Sequence, residues 1–161
     1  MGVDMDNLIK KSMNEEIARQ IALWKYEGHY EVYNLPSFEE MKENNYGMVN
    51  PKKADNYICY LKNDEVVAYT SMKEMPDGRI YFGIGLKPEY CGKKMGNYFT
   101  KDSLEDIKKR FPNSKIYLEI RSWNKRALKS AENIGFVTTD TIIKKDRLGN
   151  DSEFVEMELN D

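Results

Sequence analysis

Residues 56–86 constrain the fold of this chain more than any other stretch. NYICYLK and EVVAYTSM are rich in β-branched and aromatic residues and flank Asn63-Asp64, so they read as an antiparallel hairpin. A third run, RIYFGIGLK, comes after the Pro76-Asp77-Gly78 turn. Three consecutive strands commit the chain to a sheet. Helices join it downstream: Met95, Phe99, Leu104 and Ile107 recur at near-helical spacing, and Pro112 marks the stop. KIYLEI then alternates as a strand. NKRALKSAENIG is a helix with apolar Ala127, Leu128, Ala131 and Ile134, and two closing strands flank Leu148-Gly149-Asn150-Asp151.

Upstream, residues 5–13 suit a short first strand. NEEIARQIALWK sets Ile17, Ile21 and Leu23 or Trp24 on one helical face behind Asn14 as N-cap. Tyr26, Tyr30 and Tyr33 fall in an irregular stretch, and PSFEEMKEN opens with Ser37 and Glu40 at capping-box spacing. The sum is an α+β fold: a mixed, mostly antiparallel central sheet flanked by helices, with at least one parallel neighbour pair.

A length of 161 residues suits one domain, 1–161, with a real core, and neither an internal repeat nor a low-complexity linker interrupts it. Charge excludes some functions. With 25 Lys and Arg against 27 Asp and Glu, the net charge of −2 gives no broad positive field for a nucleic-acid backbone. Two cysteines, Cys59 and Cys91, and the single His29 make neither a disulfide framework nor a four-ligand zinc site, so no metal is expected. MGVDMDNLIKKSMNEE lacks the apolar run of a secretory signal, and no window approaches the ~18–20 apolar residues of a membrane span. The expectation is a cytoplasmic protein that binds no membrane.

The stretch YCGKKMGNYF, residues 90–99, lies between the third strand and the long helix. A strand that enters a glycine-containing turn and then a helix aims unpaired backbone N–H groups and the positive end of the helix dipole at one place, where anions bind. Taken alone, the turn is either such an anion site or a solvated basic loop. It is neither a nucleotide P-loop nor the dinucleotide G-x-G-x-x-G.

In context, LKPEYCGKKMGNYF resembles the acetyl-CoA-binding segment of the GNAT (GCN5-related) N-acetyltransferases, whose pattern is Arg or Gln, two residues, Gly, one residue, then Gly or Ala. Asn124-Lys-Arg-Ala127 with Ile134-Gly135-Phe136 after it resembles the family's Asn-x-x-Ala helix ending in Gly-Phe. The resemblance covers roughly residues 56–159. WKYEGHYEVYN is similar to the acceptor-side region of some members. Three positions depart from the pattern: Cys91 stands where Arg or Gln is usual, Lys94 at the inner glycine, and Ala131 where the helix often carries a tyrosine proton donor.

The resemblance implies a GNAT-like acyl-CoA N-acyltransferase fold and an acetyl-CoA-dependent transferase. Such an enzyme moves the acetyl group directly to a primary amine of a small molecule, peptide or protein. It places the cofactor's phosphates on the main chain of Gly92, Lys93, Lys94, Met95, Gly96 and Asn97, and Asn124 beside the pantetheine arm. The thioester carbonyl falls at the main-chain N–H groups of Ile84, Gly85 and Leu86, where Gly83 and Gly85 permit close approach or a bulge. Glu119, in YLEIR, resembles a strand glutamate that certain members use as a base. Alternation sets Tyr117, Glu119 and Arg121 on one face, so Glu119 is either that base or a strand residue paired with Arg121 or a neighbour.

With Ala131 in the tyrosine's place, protonation of the departing thiolate falls to water, to Tyr98 or to Tyr117. Asn124 is also an N-cap, Gly135 a helix C-cap and Ala127 core. Trp24, Tyr26, Tyr30 and Tyr33 either line an acceptor pocket or belong to the core. Lys108-Lys109-Arg110 and Lys144-Lys145 read as solvated faces. The partner expected is an amine acceptor, with no nucleic acid and no membrane, and a homodimer stays open. The rival function is a GNAT-like domain that binds acyl-CoA as a sensor or scaffold without efficient turnover. A nucleotide-binding module is a third class.

Overall fold

The computed structural model describes residues 7–92, 95–146 and 148–160. The hairpin forms as expected: β2 (Tyr57–Lys62) and β3 (Glu65–Glu74) pair antiparallel. Asn63 and Asp64 at its turn have φ of 50° and 66°. That left-handed pair matches the right-handed twist of the two strands. β1 (Leu8–Lys11) pairs antiparallel with β2; of the residues expected in the first strand, 5 and 6 lie outside the described ones, and Met13 instead enters the core.

β4 (Ile80–Leu86) and β5 (Ile116–Arg121) are the expected parallel neighbours, and the crossover between them contains α3 (Met95–Arg110). α4 (Lys125–Ile134) leads into β6 (Phe136–Lys145), which returns through β7 (Asp151–Leu159) antiparallel to both β6 and β5. The strand order β1-β2-β3-β4-β5-β7-β6 makes a mixed sheet of seven strands flanked by helices.

The chain divides into two compact units, one of Met1–Ser71 with Ile84–Phe99 and the other of Met72–Gly83 with Thr100–Asp161. In the first, α1 (Glu15–Ala22) starts where the Asn14 Oδ1 accepts the Ile17 N–H at 2.8 Å. Its buried face, Ile17, Ala18 and Ile21, is continued by Trp24, while Leu23 stands 77 % exposed. α2 (Phe38–Glu43) starts at Ser37, whose Oγ accepts the Glu40 N–H at 3.2 Å. Between the helices, the stretch expected to be irregular holds a 3₁₀ helix, Gly28–Tyr33, entered through Gly28 at φ 61°.

α1 and α2 pack Ile17, Ile21, Phe38 and Met41 into one cluster with Cys59, Leu61 and Val66 of the hairpin. Burial of each large side chain contributes about 1.5–3 kcal/mol. Gln20 fastens α1 to the turn: its Oε1 accepts the Val66 N–H at 2.9 Å and its Nε2 donates to the Asp64 carbonyl at 3.2 Å. The alternate hairpin residues Tyr60 and Ala68 cluster with Met95 and Phe99 of α3, the Tyr60 and Phe99 rings lying 4.8 Å apart.

The second unit buries Ile80, Phe82, Leu104, Ile107, Ile116, Leu118, Phe136 and Met157. α4 is capped at both ends as its sequence requires. Asn124 Oδ1 accepts the Ala127 N–H at 3.2 Å, and Gly135, at φ 121°, donates its N–H to the Ala131 carbonyl at 3.2 Å. Among the described residues no helix is long and apolar enough to cross a membrane.

Candidate active site

The glycine turn leaves β4 through a short 3₁₀ helix, Pro88–Tyr90, and reaches Gly92, whose φ of 77° is a left-handed conformation that favours glycine. Lys93 and Lys94 lie outside the described residues. α3 then begins at Met95, and the first backbone N–H groups of any helix have no intrahelical acceptor. Gly96 stands in this first turn. Among the described residues a Cβ added there meets only a Leu86 methyl, at 3.6 Å, an ordinary contact. Beside it, the Asn97 Oδ1 is buried with no hydrogen-bond partner among the described residues, a state that costs about 1–3 kcal/mol unless a ligand relieves it. Left-handed glycine, open helix start and orphaned amide oxygen together fit a pyrophosphate-bearing ligand with an amide-containing arm.

At the end of β4, Ile84 is 41 % exposed. Of the two alternatives for its glycines, close approach is what Gly85 shows: a Cβ there would lie 2.4 Å from the Tyr69 ring. The Leu86 carbonyl accepts the Tyr26 hydroxyl at 2.6 Å, and the Cys91 thiol lies 3.9 Å from the same oxygen. Burial holds the Tyr26 and Tyr69 phenols well above the ordinary tyrosine range, so both stay protonated donors. Trp24, Tyr26, Tyr33 and Tyr69, with Ile21 and Leu35, line a small cavity. Of the four aromatic residues considered for the acceptor side, only Tyr30 is outside it; its ring stacks on Tyr33 at 6.4 Å.

In the second unit, β5 brings Tyr117 and Glu119 to one face. Glu119 has a side chain only 13 % exposed and is ion-paired with Lys144 of β6; Arg121 instead donates to the Ser152 hydroxyl at 2.9 Å. Lys144, expected on a solvated face, therefore belongs to this cluster, and its ammonium also lies 4.6 Å from the Phe154 ring centre. Burial of Tyr81, then the adjacent Glu119 charge, pushes its phenol up to about 12. Opposite Glu119 in register stands Glu156, bonded by the Thr139 hydroxyl at 2.9 Å and by Arg79 at 3.4 Å. The Arg79 guanidinium covers the Tyr117 ring at 3.9 Å.

Asn124 is 8 % exposed with its oxygen committed to the cap, and Ala131 is 5 % exposed with no hydroxyl to offer. Of the substitute donors, Tyr117 is buried beneath Arg79, and Tyr98 stands 47 % exposed on α3. Among the described residues no group of three or more His, Cys, Asp or Glu could hold a metal ion.

Tyr69, Tyr81 and Lys144 join these surroundings without having been expected there. Tyr69 had a signal, since alternation in EVVAYTSM opposes it to the buried Ala68, whereas Lys144 had none.

No curated protein sequence matches the chain. Solved structures similar to it include a spermidine N-acetyltransferase chimera of SpeG from Vibrio cholerae and hSSAT, with TM-score 0.76 and 17 % identity over 96 % of this chain and 95 % of that one. The ribosomal-protein-S18-alanine N-acetyltransferase of Escherichia coli gives 0.66 and 17 % over 94 % and 92 %. A putative acetyltransferase of Salmonella typhimurium, solved with acetyl-CoA, gives 0.64 and 13 % over 96 % and 94 %. At these identities the likeness is one of fold. The sequence model of the acetyltransferase (GNAT) family, however, matches residues 16–136. Because that span takes in well over half the chain, including the glycine turn and the Asn124 helix, the protein belongs to the GNAT family of acetyltransferases.

Proposed function

We propose that the protein is an acetyl-CoA-dependent N-acetyltransferase that transfers the acetyl group directly to a primary amine of a small molecule, peptide or protein. The observation that carries this reading is the start of α3, where, among the described residues, left-handed Gly92, the uncrowded Gly96 and the unpartnered Asn97 oxygen fit the cofactor. Gly92, Met95, Gly96 and Asn97, with Lys93 and Lys94 completing the turn, would hold its phosphates, and Asn124 its pantetheine arm. Bound, acetyl-CoA supplies the acetyl group as a thioester.

The chain's own residues then have two tasks. Main-chain N–H groups of Ile84, Gly85 and Leu86 polarise the carbonyl, and the Glu119 carboxylate takes the proton of the attacking amine. The C–N bond forms as the C–S bond breaks. The departing thiolate resembles that of cysteine, pKa ~8.5, and water protonates it, so the absent tyrosine costs about 10²-fold or less. The matched span includes segments of both compact units, which supports reading residues 1–161 as one domain. A reducing cytoplasm and an amine partner, without nucleic acid or membrane, complete the proposal.

A second reading, acyl-CoA binding without efficient turnover, is favoured by Ala131 alone. An amine panel assayed for acetyl-CoA-dependent thiol release separates the two: turnover is expected, and binding of CoA with turnover of no amine would leave only the second. Thermal shift with CoA against ATP tests the cofactor class, stabilisation by CoA being expected.

A further inference from the structure

The segment between α1 and α2 is closed on itself by one side chain. The Asn34 Oδ1 accepts the Tyr26 N–H at 2.6 Å, its Nδ2 donates to the Tyr26 carbonyl at 3.4 Å, and its backbone N–H donates to the Glu31 carbonyl at 3.0 Å. The 3₁₀ helix Gly28–Tyr33, whose Tyr33 borders the aromatic cavity, is thus a loop tied at its neck. From that neck the Tyr26 hydroxyl reaches 60 residues along the chain to the Leu86 carbonyl, at 2.6 Å.

That carbonyl belongs to the peptide unit joining Leu86 to Lys87, whose N–H donates to the Val67 carbonyl at 3.0 Å. One peptide plane is therefore held from both ends, by β3 through its N–H and by Tyr26 through its oxygen. With ω fixed by resonance, holding this plane limits the ψ of Leu86 and the direction of the residues just before it. Gly85, which has no Cβ and adjoins the Tyr69 ring, is the position where such a restraint is most needed.

We infer that Tyr26 is a positioning residue: by holding the Leu86 carbonyl it fixes the N–H groups of Ile84, Gly85 and Leu86 on the acyl oxygen and couples them to the acceptor-side loop. The inference rests on the reading of those three N–H groups as the carbonyl-polarising set. A phenol kept neutral by burial is suited to this, because near neutral pH it donates to the carbonyl and exchanges no proton with the reaction.

The test uses the full chain and acetyl-CoA labelled with ¹³C at the carbonyl. In the wild type the bound carbonyl resonance should lie downfield of free acetyl-CoA. Tyr26→Phe, which removes one oxygen and keeps the ring, should return most of that displacement while changing acetyl-CoA affinity less than twofold. Asn34→Ala, which frees the neck but leaves the hydroxyl, should give a smaller change of the same sign. On an amine found by the panel, Tyr26→Phe should lower kcat about tenfold with the shape of the pH–rate profile unchanged.

Equal carbonyl shifts in wild type and Tyr26→Phe would overturn the inference, as would loss of the alkaline limb, which belongs to a proton donor. Binding without any carbonyl displacement in the wild type would overturn the reading of residues 84, 85 and 86 beneath it. Absence of a bound resonance would overturn the cofactor itself.

Discussion

The two compact units handle polar groups in opposite ways. Around β2, β3 and the end of β4, the titratable side chains buried in the packed region are phenols and a thiol, beside the uncharged Thr70 hydroxyl. Burial raises Tyr26, Tyr57 and Tyr69 and pushes Cys59 up to about 12, so each stays neutral. On β5 and β7 the sheet instead carries Glu119, Glu156 and Glu158, with Arg79 and Lys144 among them. Neutral donors can hold a backbone or shape a cavity but move no proton near neutral pH. A carboxylate held beside a cation is a group of the type that can accept one. On the proposed reading, backbone positioning falls to the first unit and proton transfer to Glu119 of the second.

The largest effect should come from removing the charge that defines the second unit's role. Glu119→Gln is expected to lower kcat about 10²-fold, equivalent to about 2.7 kcal/mol, and to abolish the acidic limb of the pH–rate profile. An unchanged limb would take the base out of this cluster.

Next in size is an alkaline effect that both units share. The Tyr81 pKa is raised from the ordinary 10.0 to about 12, chiefly by burial. The folded state thus holds the proton more tightly than the unfolded chain. The associated stability is fully present below pH 10 and is lost as pH rises toward 12, amounting to roughly 2–3 kcal/mol. Tyr81→Phe should flatten that decline in urea unfolding measured between pH 9 and 11. A decline of unchanged slope would place the alkaline sensitivity elsewhere.

Gly85→Ala tests the packing of the first unit. Its Cβ would lie 2.4 Å from Cε1 and 2.7 Å from Cζ of the Tyr69 ring, an overlap expected to cost about 1–3 kcal/mol in thermal or urea unfolding. Tyr69→Ala in the same chain should make the added methyl nearly neutral.

Gly96→Val separates binding from folding. Since among the described residues only a Leu86 methyl faces that side, at 3.6 Å, unfolding stability should stay within about 0.5 kcal/mol of wild type. CoA affinity measured by calorimetry should fall about tenfold, or 1.4 kcal/mol. Retained affinity would remove the helix start from the site.

The smallest effect expected is that of Lys144→Ala on stability. Its side chain is 44 % exposed, so the ion pair with Glu119 should contribute about 0–1 kcal/mol, reduced further by salt.

Much of the fold was legible in the chain because its signals are local. Asn14, Ser37 and Asn124 cap helices through side chains that reach three residues along. The left-handed pair Asn63 and Asp64 closes the hairpin within two residues, and Gly92 turns on its own φ. The 3₁₀ helix at residues 28–33 was not legible, since its hydrogen bonds depend on the neck that Asn34 closes from outside the segment. Trp24 rather than Leu23 completes the α1 face because the helix ends before either, and tertiary packing made the choice.

The sequence by itself determined the strands, the helix boundaries, the glycine turn and the pairing of motifs that marks the family, because steric φ limits and hydrophobic period act over a few residues. Only the tertiary structure decided that Tyr26 meets the Leu86 carbonyl, that Tyr69 fills the space left by Gly85, and that Glu119 meets Lys144 rather than Arg121. Partners of half-buried polar groups are chosen by which distant segments meet, and no local pattern encodes a contact made across 60 residues or across 25.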